Sequence, residues 1–162
     1  MQALIYESVW QSCSEHWQAE AINFWQRLNA LPAEVDLAER ASQLCCIVHS
    51  NGSIVGVSTA QAGRLAQLRA RFFFFRCLVD PEVRRRQIAR QLAVNSRDAL
   101  SVWSAQHPEA QMAGMATVVE SPLLRELART PVWPSSGLSL VGYTDNNQQI
   151  RVVWFEHARV SI

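Results

Sequence analysis

Three consecutive arginines, Arg84 to Arg86, are the residues of this sequence whose chemistry is easiest to predict. They lie within V-D-P-E-V-R-R-R-Q-I-A-R-Q-L, residues 79–92, directly after the hydrophobic run R-F-F-F-F-R-C-L at residues 71–78. Pro81 ends the strand pattern, and helical spacing of apolar residues begins near Ile88. A strand, a tight loop and a helix N-terminus together present backbone N–H groups that suit a phosphate. The sequence therefore predicts an anion site at this loop.

The charge distribution supports an anionic ligand. The whole chain has 162 residues and a formal net charge of only +1, but the segment from Arg64 to Arg97 contains nine arginines and only two acidic residues. All fifteen basic residues are arginine, which excludes chemistry based on a lysine nucleophile or Schiff base. The four cysteines show no C-x-x-C pair and no cysteine–histidine spacing typical of zinc sites, so no metal is expected.

The elements that must position this loop are predicted from apolar periodicity, caps and turns. A capping box at Ser12 and Glu15 begins a helix that ends near Pro32, and Asn51-Gly52 marks a hairpin. A long helix should run from Gln87 or Ile88 to about Gln106. The other predicted elements are strands at 3–6, 44–50, 53–59, 72–80, 111–119, 138–144 and 149–156, helices at 34–43 and 121–129, and a linker at 60–70.

This order predicts an α/β fold in which helices flank both faces of a mixed, largely antiparallel sheet. Composition and length indicate a single domain spanning residues 1–162. No apolar run is long enough to span a membrane and the N-terminus has no signal-peptide pattern, so a cytoplasmic protein without a membrane partner is expected.

The stretch from Val79 to Leu92 resembles the acetyl-CoA-binding motif of the GNAT superfamily of N-acyltransferases, written [QR]-x-x-G-x-[GA]. Arg84 takes its first position, Gln87 the glycine position and Ala89 the last. The resemblance implies the GNAT fold, with acetyl-CoA or another acyl-CoA as co-substrate and no metal. It implies a cofactor site formed by Cys77, Leu78, Val79, Arg84, Arg85, Arg86, Gln87, Ile88, Ala89 and Arg90.

Gln87 is the departure from this motif. A Cβ restricts positive φ and crowds a backbone that should approach the pyrophosphate. If Gln87 is helical the cost is small, whereas cofactor binding is weak or lost if the position needs a positive φ.

The catalytic residues are unknown from the sequence. In the family, a tyrosine on the helix after the fifth strand commonly protonates the leaving thiolate, but S-P-L-L-R-E-L-A-R contains no tyrosine. Glu120 is a candidate base, and Ser121 and Tyr143 are candidate proton donors. His49, beside the turn, is expected at an exposed strand end. Cys77 has no matched His/Asp pair in the sequence for a covalent acyl intermediate.

The functional hypothesis is an acyl-CoA-dependent N-acyltransferase that transfers acetyl to an amine of a small molecule or peptide. One alternative is a catalytically degenerate GNAT-like module with a coenzyme-A-binding or regulatory role. A second is a basic α/β module that binds nucleic acid, which is less favoured because Phe72–Phe75 should be buried. A homodimer is possible.

Overall fold

A computed structural model describes residues 3–121 and 126–162, and of residues 84–86 it describes the backbone alone. Seven strands and three α-helices are found in these residues. The strands are β1 (Ile5–Ser8), β2 (Leu44–Ser50), β3 (Ser53–Leu65), β4 (Ala70–Val79), β5 (Met112–Val118), β6 (Ser139–Tyr143) and β7 (Gln149–Trp154). The helices are α1 (Glu15–Arg27), α2 (Leu37–Ser42) and α3 (Ile88–Gln106).

The strands form one sheet in the order β1-β2-β3-β4-β5-β7-β6. β1 with β2, β2 with β3, β5 with β7 and β6 with β7 are antiparallel, whereas β4 and β5 are parallel. The predicted mixed, largely antiparallel α/β fold is therefore confirmed. β4 is the fourth of the seven strands, as its nearly continuous apolar sequence predicted.

The start of α1 differs from the predicted capping box. Ser14, not Ser12, is the N-cap: its backbone is extended and its hydroxyl accepts the N–H of Trp17 at 3.2 Å. The helix ends at Arg27, before Pro32. Two serines two residues apart can both be read as caps, and only the backbone geometry distinguishes them.

The predicted linker between the hairpin and β4 is also wrong in part. β3 continues through Leu65, and a 3₁₀ turn at Ala66–Leu68 then leads to Arg69, which has a φ of 52°. The predicted helix at 121–129 lies partly outside the described residues, and its last part, Leu127–Arg129, is a 3₁₀ turn.

Contacts divide the chain into two compact units. The first comprises Met1–Ala60 and Arg76–Ala99, and the second comprises Gln61–Phe75 and Leu100–Ile162. The long elements β3, β4 and α3 therefore each contribute residues to both units.

The first unit has helices on both faces of its strands. Ile47 and Val57 pack with Phe24 and Trp25 of α1 in one apolar cluster, all less than 4% exposed. On the opposite face, Ser58 Oγ lies 2.7 Å from Ser96 Oγ of α3. Because neighbouring strand residues point to opposite faces, Val57 and Ser58 contact different helices.

His49 is buried rather than exposed as predicted. It is 8% exposed, and its Nε2 lies 2.6 Å from Glu7 Oε2. Trp17 of α1 covers the ring, with the centroids 4.8 Å apart. A carboxylate from the neighbouring strand and an aromatic from the helix together account for its burial.

The second unit is built around a buried cation, Arg151 of β7, which is 0% exposed. Its guanidinium donates to the carbonyl oxygens of Ala128, Pro131 and Leu138 at 3.0–3.4 Å and to Gln149 Oε1 at 3.0 Å. Trp133 is stacked on it, with 4.3 Å between the guanidinium carbon and the ring centroid.

None of the three ion pairs among the described residues includes Arg151. Burial lowers its pKa, and the nearby Tyr143 opposes this shift. Backbone carbonyls therefore take the place of a carboxylate, and they bind the segment after β5 to the sheet.

We expect Arg151→Met to lower the free energy of unfolding by about 2–4 kcal/mol, because it leaves several buried carbonyls without a donor. Arg151→Lys should lower the free energy of unfolding by nearly as much, since an ammonium group cannot reproduce the several hydrogen bonds of the planar guanidinium. Urea unfolding followed by tryptophan fluorescence measures both changes. The control is Arg159→Met in the exposed C-terminal tail, with a change under about 0.5 kcal/mol. A similarly small change for Arg151→Met would contradict this account.

Candidate functional site

The candidate site lies where β4 passes into α3, entirely in the first unit. β4 ends at Val79, Asp80 follows, and a 3₁₀ segment runs from Pro81 to Arg86 before Gln87 and α3. The side chain of Asp80 accepts the N–H of Glu82 at 3.0 Å, as a capping residue does before a proline at the first helical position. The segment from Asp80 to Gln87 is called the cofactor loop below.

Gln87 has an unusual backbone conformation in this loop. Its φ is +59°, in the left-handed region, although it is not a glycine. The N–H of Gln91 donates to Gln87 O at 3.3 Å, so the intrahelical hydrogen bonds of α3 begin from Gln87. The N–H groups of residues 88–90 come before the first such bond and project outward from the N-terminal end of the helix.

A right-handed segment followed by one left-handed residue is the geometry of an anion-binding nest. Here the nest leads directly into a 19-residue helix, whose dipole adds positive potential at the same point. Gln87 therefore adopts the positive φ that a glycine would supply without cost. The turn forms with glutamine at a cost of about 1–2 kcal/mol.

Side-chain packing against the sheet fixes the first turn of α3. Ile88 and Leu92 are 0% exposed and pack on the sheet opposite Gly56 of β3. A Cβ at Gly56 would lie 3.3 Å from methyl groups of both side chains and 2.8 Å from Val48 Cγ1. Glycine at this position allows the N-terminal turn of α3 to approach the sheet closely, which holds the nest in place.

The residues predicted to bind the cofactor differ in exposure. Cys77, Gln87, Ala89 and Arg90 are exposed, and Leu78 is half-buried. Val79 and Ile88 are buried, so only their backbone groups are open to a role in binding. The side chains of Arg84, Arg85 and Arg86 lie outside what the structure describes, and their predicted contacts stay predictions.

The three candidates for proton transfer belong to the second unit. Glu120 and Ser121 follow β5 and are exposed, and Tyr143 ends β6 with 57% of its surface exposed. The residues predicted to bind the cofactor, 77–79 and 84–90, all belong to the first unit.

Two residues of the site were missed in the sequence. Arg27, at the end of α1, donates to Asp80 Oδ2 from both Nη1 and Nη2 at 3.3 Å. The capping role of Asp80 had a signal in the Asp-Pro pair, whereas nothing in the sequence links it to Arg27, 53 residues away.

The phenylalanines of β4 bear on the nucleic-acid alternative. Phe72, Phe73 and Phe75 are at most 6% exposed, so they cannot stack on nucleic-acid bases. No group of three metal-ligating side chains occurs in residues 3–121 and 126–162. No helix within these residues is long and apolar enough to cross a membrane.

The fold was then compared with solved structures. Phosphinothricin acetyltransferase of the GNAT superfamily from Sinorhizobium meliloti, in complex with acetyl-CoA, matches with a TM-score of 0.63 and 13% identity over 96% of this chain and 90% of that one. The ribosomal-protein-S18-alanine N-acetyltransferase from Escherichia coli matches with a TM-score of 0.60 and 17% identity over 97% of both chains. This protein has the GNAT fold.

A third solved structure, a putative acetyltransferase from Salmonella typhimurium with its cofactor acetyl-CoA, matches with a TM-score of 0.57 and 13% identity over 98% of both chains. No family model and no curated protein matches the sequence. The likeness in fold thus persists at a sequence identity of 11–17%.

We expect Gln87→Gly to raise the free energy of unfolding by about 0.5–1 kcal/mol, because glycine adopts a positive φ without a Cβ clash. Urea denaturation measures this change. Gln91→Gly is the matched control, since Gln91 lies within α3 and glycine there should cost about 1 kcal/mol. Equal losses in both variants would show that residue 87 does not need a left-handed backbone.

Proposed function

We propose that this protein is an acyl-CoA-dependent N-acetyltransferase that transfers acetyl from acetyl-CoA to an amine of a small molecule or peptide. The observation that carries the proposal is the left-handed Gln87 between the 3₁₀ segment and α3. It provides an anion nest at the position where the GNAT motif has its glycine. Acetyltransferases with the same fold, two of them with acetyl-CoA bound, support the choice of ligand.

In the proposed binding mode, the cofactor contacts both the N-terminus of α3 and the end of β4. The pyrophosphate, part of a cofactor with about four negative charges, would accept N–H groups from residues 87–90. Arg84–Arg86 and Arg90 would add charge-assisted contacts. The pantetheine arm would run along the end of β4, Cys77–Val79, in the manner of an added strand.

The reaction needs few protein groups. The neutral amine nitrogen attacks the thioester carbon, the C–N bond forms, and the C–S bond breaks with its electron pair leaving on sulfur. One proton leaves the nitrogen and one is taken up by the thiolate. Glu120 is the proposed base, and Ser121 or Tyr143 the proposed donor. A thiolate is a fair leaving group, so a weak donor would slow the transfer without abolishing it.

Two of the four thiols are buried in β2. Cys45 and Cys46 are 0% exposed, and the hydrogen bond that Cys45 donates to Cys46, together with burial, raises the pKa of Cys45, whereas the same bond lowers the pKa of Cys46 to about 7. Direct transfer from the cofactor to the amine is the mechanism that we propose.

A degenerate module that binds coenzyme A without turnover is the second candidate. It is favoured by the glutamine in the glycine position and by the absence of tyrosine from residues 121–129. Binding and turnover measured on the same protein distinguish the two candidates.

We expect acetyl-CoA to bind with a calorimetric signal, and free thiol to appear when an amine panel of amino acids, polyamines and short peptides is added. Arg84→Ala should weaken binding by about 1–3 kcal/mol, because it removes a charge-assisted contact to phosphate. Gln87→Gly should bind equally or more tightly, since it relieves the strain of the turn.

Arg159→Ala, in the C-terminal tail, is the control for a simple change in net charge and should leave the affinity unchanged. Absence of binding at millimolar acetyl-CoA would contradict the proposal. Tight binding with no thiol release from any amine would favour the non-catalytic module instead.

A further inference from the structure

Asp80, at the start of the cofactor loop, uses both its backbone polar groups and both its carboxylate oxygens in hydrogen bonds. Its N–H donates to Val55 O of β3 at 2.8 Å, and its carbonyl accepts from Val83 at 3.0 Å. One carboxylate oxygen, Oδ1, accepts the N–H of Glu82 at 3.0 Å, and the other, Oδ2, accepts from Arg27. Both backbone polar groups and both side-chain oxygens are therefore in use.

These bonds fix the loop at its start. One backbone bond holds Asp80 to β3, and two others shape the first turn of the 3₁₀ segment, which ends one residue before Gln87. Because the far end of the loop is anchored by buried Ile88, the loop is clamped at both ends. A loop clamped in this way holds its N–H groups in place before a ligand arrives, which lowers the entropic cost of binding.

The charge of Asp80 opposes the proposed ligand. Its side chain is 13% exposed, so its negative charge is only partly screened, and it lies in the same loop as the anion nest. Arg27 neutralises this charge with two hydrogen bonds to one oxygen, and its guanidinium carbon also lies 5.5 Å from the centroid of the Phe24 ring. The Asp80 carboxylate accepts hydrogen bonds that shape the loop, but its charge repels an anion. A neighbouring cation such as Arg27 is needed to neutralise that charge.

We propose that Asp80 and Arg27 form a positioning pair for the cofactor loop, in which Asp80 sets the first turn and Arg27 holds and neutralises Asp80. The inference rests on the proposed acyl-CoA site. It differs from an ordinary surface ion pair, which contributes little and would leave ligand affinity unchanged. It differs also from a direct contact between Arg27 and phosphate, because Arg27 acts through Asp80.

The test measures the affinity for acetyl-CoA by calorimetry in five variants. They are Asp80→Ala, Asp80→Asn, Arg27→Met, the double variant Arg27→Met/Asp80→Asn, and Arg97→Met. The last is a matched control, since Arg97 is also paired with an acid, Asp98, and loses the same charge. S-acetylpantetheine, which has no pyrophosphate, is titrated in parallel by ligand-observed NMR.

Asp80→Ala should bind acetyl-CoA about tenfold more weakly, and Asp80→Asn within about threefold of the wild type, because the amide oxygen still accepts from Glu82. Arg27→Met should lose about threefold, since an unneutralised carboxylate remains near the anion. The double variant should bind at least as tightly as Arg27→Met, because it also removes that charge. Affinity for S-acetylpantetheine, and that of Arg97→Met for both ligands, should stay unchanged.

Wild-type affinity for acetyl-CoA in Asp80→Ala would overturn the pairing but leave the acyl-CoA site intact. A double variant weaker than Arg27→Met would also overturn it, since the Asp80 carboxylate would then not be the charge that Arg27 offsets. Equal losses for S-acetylpantetheine would indicate general damage to the fold instead of a positioned loop. If the wild type itself does not bind acetyl-CoA, the proposed function fails and the pairing with it. Arg27→Met and the double variant keep the test valid if Asp80→Ala does not fold.

Discussion

The reversal of backbone handedness at Gln87 is the constraint on which the candidate site depends. The 3₁₀ segment ends at Arg86 and α3 begins at Ile88, and both are right-handed. A right-handed residue between them would let the two run into one continuous helix, in which carbonyls of the preceding turn take up the N–H groups of the next. The single left-handed residue interrupts that series and leaves the first N–H groups of α3 for a ligand.

Such a reversal is stable only when the chain on both sides is held. Before it, Asp80 is bonded to β3, to its own turn and to α1. After it, Ile88 and Leu92 are buried against Gly56. Packing and hydrogen bonds with no direct part in binding therefore maintain a local conformation that the sequence of the loop does not favour by itself.

Sequence patterns predicted the elements whose signals are local. The Asn51-Gly52 hairpin and the end of α3 at Gln106 depend on residues close together in the chain, and both are confirmed. The patterns failed where tertiary contacts determine the burial of a residue or its hydrogen-bond partner. His49 looked exposed because its Glu7 and Trp17 partners come from β1 and α1, and Arg27 gave no sign of reaching Asp80.

The arginines show the same limit of sequence patterns. Charge counting drew attention to residues 64–97, yet Arg151, which is fully buried, lies far outside that segment. Within the described residues, Arg97 is paired with Asp98, and Arg27 with an acid of the loop itself. A count of charges describes the field around a segment, whereas hydrogen-bond geometry decides whether a given arginine serves structure or a ligand.

The same reasoning applies to the glutamine at residue 87, where the resemblance to the GNAT motif predicts a glycine. Glycine is required for two separate reasons, close approach of another backbone or a positive φ. At Gly114 of β5 the first reason holds, since a Cβ would lie 2.1 Å from Val153 O, and a side chain there would break the pairing of β5 with β7. At residue 87 the side chain is exposed, so the requirement of the fold is torsional. A torsional requirement costs about 1–2 kcal/mol, which the anchors on either side of the turn can offset, whereas a backbone clash cannot be offset in this way.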